Sequence, residues 1–389
     1  MSMRVLDCGY VALVDSAPLV IAQELGFAAD EGLELNLVQQ PSWSALRDML
    51  ALGHLDAAQM LSPLPIAMTF GRSGVPKDVD ALMVLSVNGT VFGLSEQIAA
   101  KAGSPTFGDP KALLHSLKEA DITSLRVGVP FHYAMHRLLL SYWASTAPDL
   151  QIEVTTIAPP RMVDAVADGV IDAFWVGEPW GSVAVHRGVA RLLCAGRHIW
   201  GYAPEKVLAV RRSWADANAD HTRALMRAVF HAARWLDTEK NKPLAVEILA
   251  SSAHLNLPPE LIDPAIGGLI IPHRGAAPVQ IDRFLSFHRH AAHFPWRSQA
   301  AWIAQHMGLQ PPDIARAKAC FRSDLYRQNL GPIGADLPGA SEKIEGAMIH
   351  ETAVASSRGH MILAPDAFFD GKTFDFGKEN RPKIERSEY

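Results

Sequence analysis

One phrase that occurs twice constrains this chain more than any other feature. In the first copy, residues 4–9 alternate as a strand, and residues 14–22 open a helix with a capping residue and an early proline, ended by Gly26. Residues 34–38 alternate again, Pro41-Ser42-Trp43-Ser44 leads into a helix that stops at Gly53, and residues 55–60 begin a third strand. The second copy repeats that order: strand 125–129, loop 130–133, helix 135–145, strand 152–157, loop 159–161, helix 162–167 and strand 169–176. Gly53-His54-Leu55-Asp56-Ala57-Ala58 is answered by Gly169-Val170-Ile171-Asp172-Ala173-Phe174. Two copies of one β-α-β-α-β unit predict two similar α/β lobes rather than one large sheet.

Between the copies, residues 81–89 are apolar and β-branched enough for a strand that leaves lobe one. After the second copy, residues 204–210 form another strand and residues 214–236 read as helical. With these stretches as crossovers, lobe one is discontinuous: 1–87 plus 204–345, with lobe two at 88–203 and a C-terminal extension at 346–389. The result is a clamshell on a two-strand hinge. In α/β lobes, ligands collect beyond the carboxyl ends of the strands, where helix starts aim unpaired N–H groups. The expected function is binding of a small anionic or polar solute.

Composition narrows this further. At 389 residues, 49% hydrophobic and 20% charged, the chain is globular, and its net charge of -5 provides no basic field to hold nucleic acid. Cys8, Cys194 and Cys320 lie far apart, with no CxxC, and read as buried or free thiols in a reducing compartment. No apolar run of about 18 residues is present, so membrane insertion is not expected. The opening residues show no basic segment followed by an apolar run and a cleavage site, and the expected location is cytoplasmic.

The loops carry a family resemblance. Residues 12–19 (Ala12-Leu13-Val14-Asp15-Ser16-Ala17-Pro18-Leu19), Gln40-Pro41-Ser42-Trp43 with Arg47-Asp48, and Leu61-Ser62-Pro63-Leu64-Pro65 resemble the nitrate/bicarbonate-binding proteins of bacterial uptake systems. So do Val176-Gly177-Glu178-Pro179-Trp180 and Pro204-Glu205-Lys206. The similarity runs from about residue 4 to about residue 302. It implies an α/β, type II periplasmic-binding-protein-like fold, two lobes closing on one ion, no catalysis and no cofactor. Without an export leader, the chain is most similar to the cytoplasmic NasS-type branch, which senses nitrate or nitrite. That resemblance implies a partner, an RNA-binding antiterminator of the ANTAR class, held without ligand and released when the ion binds.

Seven residues are candidate ligands. A monovalent anion in a desolvated cleft requires a positive partner, and Lys206 occupies the position where nitrate-binding relatives carry lysine and bicarbonate-binding ones an acid. The alternative is a solvent-facing lysine at a strand start. His136, aligned by Tyr142-Trp143 with a ligand histidine of the nitrate-binding relatives, donates when neutral and adds charge when protonated; His132 is its substitute, and packing against the hinge the bland reading. Trp43 offers a flat face and one N–H donor in a polar setting, or else lies in the core. Asn88 and Thr90 supply donors at the first crossover or simply hold the hinge, and Gln59 is open to the same two readings. Glu178 reads first as a helix N-terminal residue and second as a cleft residue, because a carboxylate repels nitrate unless protonated or paired. Trp180 covers the ion or packs.

His288, His290 and His293 resemble a metal cluster, but a helix ending before Pro295 explains them as surface or interlobe contacts, and no metal is expected. No HExxH, GxSxG, Walker or GxGxxG motif stands in its required context. Within the extension, residues 362–371 form an apolar patch that packs on the body, and residues 378–383 form a charged end. Either the extension or residues 296–321 could meet a partner. Two other functions compete with the sensor: the solute-binding component of an anion importer, and a thiamin-pyrimidine synthase-like enzyme on the same fold. The scattered cysteines argue against the enzyme.

Overall fold

The computed structural model describes residues 3–74 and 76–379. Each copy of the repeated phrase folds into a parallel three-stranded unit whose first strand lies in the middle. β1 (Arg4–Tyr10) runs parallel to β2 (Leu33–Gln39) on one side and β3 (Ala57–Leu61) on the other. The chain then passes through β4 (Val79–Asn88) and, one glycine later, β5 (Thr90–Ser95). In the second copy β6 (Ser124–Val129) lies parallel between β7 (Gln151–Thr156) and β8 (Ala173–Gly177). β9 (Ala190–Ala195) and β10 (Pro204–Arg211) follow.

Each unit is completed by a strand that arrives from the other half of the chain. β10 runs antiparallel to β3 and β4, and β5 runs antiparallel to β8 and β9. A short hairpin, β11 (Leu269–Ile270) and β12 (Val279–Gln280), precedes β13 (Leu285–Ser286), which adds to the edge of β4. The sheets therefore read β13-β4-β10-β3-β1-β2 and β7-β6-β8-β5-β9. Every residue of β3 and of β8 is buried, as expected of strands covered on both faces.

The repeated Gly-x-Leu/Ile-Asp-Ala phrase has one physical explanation in both copies. Gly53 and Gly169 end their helices with φ of 88° and 67°, a region glycine adopts without steric cost. Leu55 and Ile171 bury their side chains. The Asp56 carboxylate then accepts from the Asp7 N–H at 3.1 Å, and Asp172 accepts from the Arg126 N–H at 2.9 Å. These aspartates hold the neighbouring strand before regular pairing starts, so the third strands begin two and four residues later than alternation alone suggests.

The first crossover turns at Asn88 and Gly89, with φ of 61° and 84°. The positive φ of Gly89 favours glycine, and a Cβ there would also have to displace the tip of Leu285, 2.7 Å away. Asn88 is fully occupied: its Nδ2 donates to the carbonyls of Gly201 and Arg283, and its Oδ1 accepts from the Ala203 N–H. It thereby ties the first crossover to the second.

Three expectations are corrected or refined. The helix expected over 214–236 splits into Arg212–Ala217 and Ala219–Leu236, because Asn218 leaves helical geometry (φ −131°) and turns its Nδ2 back to the Trp214 carbonyl. No helix runs up to Pro295: His290 and Ala291 take φ of 57°, and the Asp237 carboxylate collects the N–H groups of Phe287, His288 and Arg289. His293 lies between His288 and the Tyr326 hydroxyl. Within the extension, Phe368 stacks on Trp200 and Trp302 at ring separations of 5.0 and 5.8 Å, and the N–H groups of Gly201 and Phe369 bond across to Ala367 and Ile199. The charged end at 378–383 lies, from residue 380 on, outside the described residues.

Candidate binding site

Both parallel units direct their carboxyl ends at the same place. After β1, Val14 N–H donates to the Glu178 carbonyl at 3.0 Å, and Trp180 Nε1 donates to the Ala12 carbonyl at 3.2 Å. Loops of the first sheet thus bond directly to loops of the second. Between them lies a cluster of polar side chains from which water is excluded.

Lys206 is its centre. It sits on β10 opposite Leu61 of β3 and is 0% exposed, so the solvent-facing reading of this lysine is overturned. Nor is it a lone cation awaiting an anion: its Nζ lies 2.8 Å from Asp15 Oδ2 and 3.1 Å from Glu205 Oε1. Burial by itself would drive the proton off the ammonium, but the two carboxylates outweigh that effect and hold it charged. The Trp43 ring, at the start of the helix Trp43–Leu52, lies 5.5 Å from the same nitrogen, in cation–π range. Ser42 fixes that helix start by accepting from the Ala45 N–H.

His136 is in the first turn of the helix Met135–Ala144, buried, with Nδ1 3.1 Å from Glu205 Oε1. The contact is too poorly aligned to be a hydrogen bond, and neither ring nitrogen has a hydrogen-bond partner. Burial, and then the charge of Lys206, keep the ring neutral, with its affinity for a proton well below the usual histidine value. His132, the substitute considered from sequence, is exposed and packs edge-on against Tyr133.

Gln59 joins the cluster with both ends used: Oε1 accepts from the Val11 N–H at 3.0 Å and Nε2 donates to Asp15 Oδ1 at 2.5 Å. Glu178 caps the following helix, its Oε2 accepting from the Ser182 N–H, while Oε1 is buried without a partner. Burial pushes the Glu178 carboxyl up to about 7 against those backbone bonds. Thr90 lies apart under Trp175, whose Nε1 donates to its hydroxyl. Asn88, as described above, serves the hinge.

Two carboxylates were missed from sequence as site residues, although both lie in the motifs quoted above. Asp15 stands in the turn Val14–Ser16, and Glu205 precedes Lys206 on β10. Burial raises the proton affinity of both, to about 7 for Glu205, and Lys206 opposes the shift. Gly177 closes the cluster: a Cβ there would approach Asp15 Oδ2 to 3.6 Å and His136 Nε2 to 3.9 Å. Among the described residues, six buried polar atoms of this cluster have no hydrogen-bond partner: Trp43 Nε1, both nitrogens of His136, Glu205 Oε2, Glu178 Oε1, and Asp15 Oδ2, which meets Lys206 as an ion pair. Buried polar groups are nearly always satisfied, so several unsatisfied ones around a buried charge mark a place that awaits a polar ligand.

An α/β fold of two linked sheets whose strand ends meet over such a cluster is that of the periplasmic-binding proteins. Residues 3–250 match the NMT1-like family model. The chain is 31% identical over 385 residues to the nitrate/nitrite binding protein NrtA of Synechococcus elongatus, covering 94% of this chain and 82% of that one. It is 33% identical over 306 residues to the nitrate import ATP-binding protein NrtC of Synechocystis sp., spanning 77% of this chain but only 45% of NrtC. The crystal structure of the periplasmic nitrate-binding protein NrtA from Synechocystis PCC 6803 superposes with a TM-score of 0.83 at 26% identity, covering 97% and 96% of the two chains. The chain belongs to the NMT1-like family, within its NrtA/CmpA-like group of nitrate- and bicarbonate-binding proteins. Among the described residues, no helix is long and apolar enough to cross a membrane.

Proposed function

We propose that this protein binds nitrate or nitrite between two lobes, 1–87 with 204–345 and 88–203, using Lys206, His136 and Trp43 as its principal contacts. Gln59 and Glu178 shape the walls, and Asn88 and Thr90 support the hinge side. The observation that carries this reading is the set of unpartnered buried atoms around the Lys206 ammonium: a cation, the Trp43 N–H and the single N–H of the neutral His136 ring, donors suited to a planar oxyanion. With the site sealed by Val14–Glu178 and Ala12–Trp180 bonds, binding and release require the lobes to part. The described part of the extension, 346–379, packs beside the second crossover through Phe368 and Phe369 and would move with it.

The resemblance of the sequence to the NasS-type branch supports a finer reading: a cytoplasmic, non-enzymatic sensor that holds an ANTAR-type antiterminator and releases it on closure. Similarity to NrtA over 94% of the chain supports the alternative, the solute-binding component of an anion importer. Calorimetry against nitrate, nitrite, bicarbonate and an alkanesulfonate tests the shared core of both; no heat with nitrate or nitrite sinks it. Capture from ion-starved cells then separates them. A small RNA-binding regulator released by added nitrate supports the sensor, and permease subunits overturn it.

A further inference from the structure

Three negative charges cannot share one buried ammonium without cost. Lys206 already faces Asp15 and Glu205, and His136 is neutral, so nitrate added to the unprotonated cluster would bring a third anion to a single cation in a dry site. Nitrate also only accepts hydrogen bonds, whereas Glu205 Oε2 is a buried acceptor with no donor of its own. One change resolves both conflicts. Resting on the function proposed above, we infer that Glu205 holds the oxyanion as a protonated carboxylic acid, so that each ion enters with one proton drawn from solvent.

The geometry selects Glu205 over its neighbours. Asp15 has both oxygens engaged, Oδ1 with Gln59 and Oδ2 against Lys206. Glu178 also keeps a free buried oxygen, Oε1, but its Oε2 caps a helix through the Ser182 N–H, and the ion pairs of Lys206 run to Asp15 and Glu205 instead. The titratable and charged groups that face Glu205 are Lys206 from its own strand, Asp15 from the turn after β1 and His136 from the helix Met135–Ala144. Of these only Glu205 combines contact with the ammonium and a free buried oxygen. Protonated, its Oε2–H becomes a further buried donor beside the unpartnered Trp43 Nε1 and His136 ring, while Oε1 keeps its bond to Lys206. Burial has already raised its proton affinity to about 7, and a bound anion raises it further.

Nitrate calorimetry on the full chain, in buffers of different ionisation enthalpy, measures the proton directly. The expected result at about pH 8 is uptake of about one proton per nitrate, with Kd rising about tenfold per pH unit above about 7 and flattening below it. Glu205→Gln abolishes the uptake and reduces the pH dependence to less than about twofold per unit. A nitrate-induced infrared band of a carboxylic acid C=O in the unmodified protein reports the same event without any variant. Nitrate binding without proton uptake, or a slope that survives in Glu205→Gln, overturns the inference and leaves the proposed function standing. Absence of nitrate and nitrite binding at every pH overturns the site reading itself.

Discussion

Two lysines of the described residues, Lys206 fully buried and Lys343 largely so, are built to the same plan. Lys206 faces Asp15 and Glu205 with the Trp43 ring at 5.5 Å; Lys343 is paired with Glu345 and Asp366, with the Trp296 ring at 5.9 Å. They differ in completeness. Around Lys343 every carboxylate oxygen is used: Glu345 Oε1 accepts from Ser298, Asp366 Oδ1 from the Met348 N–H, and the remaining two oxygens meet the ammonium. Around Lys206 the network stops short, leaving Glu205 Oε2, Trp43 Nε1 and the His136 ring unpartnered. A closed network fixes one structure, and an open one is a place for something to bind. Lys343 therefore clamps residues 343–366 to the body, whereas Lys206, under the function proposed above, serves the ligand.

Substitutions at the two lysines break or sharpen this contrast. The largest effect is expected for Lys343→Met, which strands two buried carboxylates and should cost about 3–5 kcal/mol in urea unfolding while leaving nitrate affinity within about twofold. A loss of nitrate binding in that variant would erase the distinction. Next, Lys206→Gln should weaken nitrate at least about a hundredfold by calorimetry, since it removes the buried positive charge that favours the ion. His136→Ala should weaken it by roughly tenfold, the scale of one or two buried hydrogen bonds. An unchanged affinity there would move the contact to other donors.

The last effect is one of stability and depends on pH. Glu178 has its carboxyl raised to about 7 by burial, so ionising it costs folding energy as pH rises from its unfolded value, about 4.5, through 7. Glu178→Gln should then stabilise the protein by about 1–3 kcal/mol near pH 8 and by almost nothing near pH 5, measured by thermal or urea unfolding. A stabilisation independent of pH would show that the ionised carboxylate is not the cause.

Much of the fold was legible because its signals are local. The twice-used Gly-x-Leu/Ile-Asp-Ala phrase announces a helix stop, a buried anchor and a strand, each set by residues a few positions apart, and both sheets carry it in equivalent places. The ends of elements were less legible: Asn218 broke a helix through its own side chain, and Asp237 reshaped the turn at 287–289 from across the fold. At the site, Lys206, His136 and Trp43 could be singled out by type and motif, but Asp15 and Glu205 looked like ordinary acids in the loops beside them.

The order of residues alone determined the two α/β units, their shared topology and the loops that would face one another, because hydrophobic period and turn chemistry act over short stretches of chain. Only the tertiary structure decided that the ammonium of Lys206 meets two carboxylates, that His136 is dry and neutral, and that Asn88 is spent on the hinge. Charge balance in a buried site depends on which distant segments converge and how much water they exclude, and neither quantity is written in any local pattern.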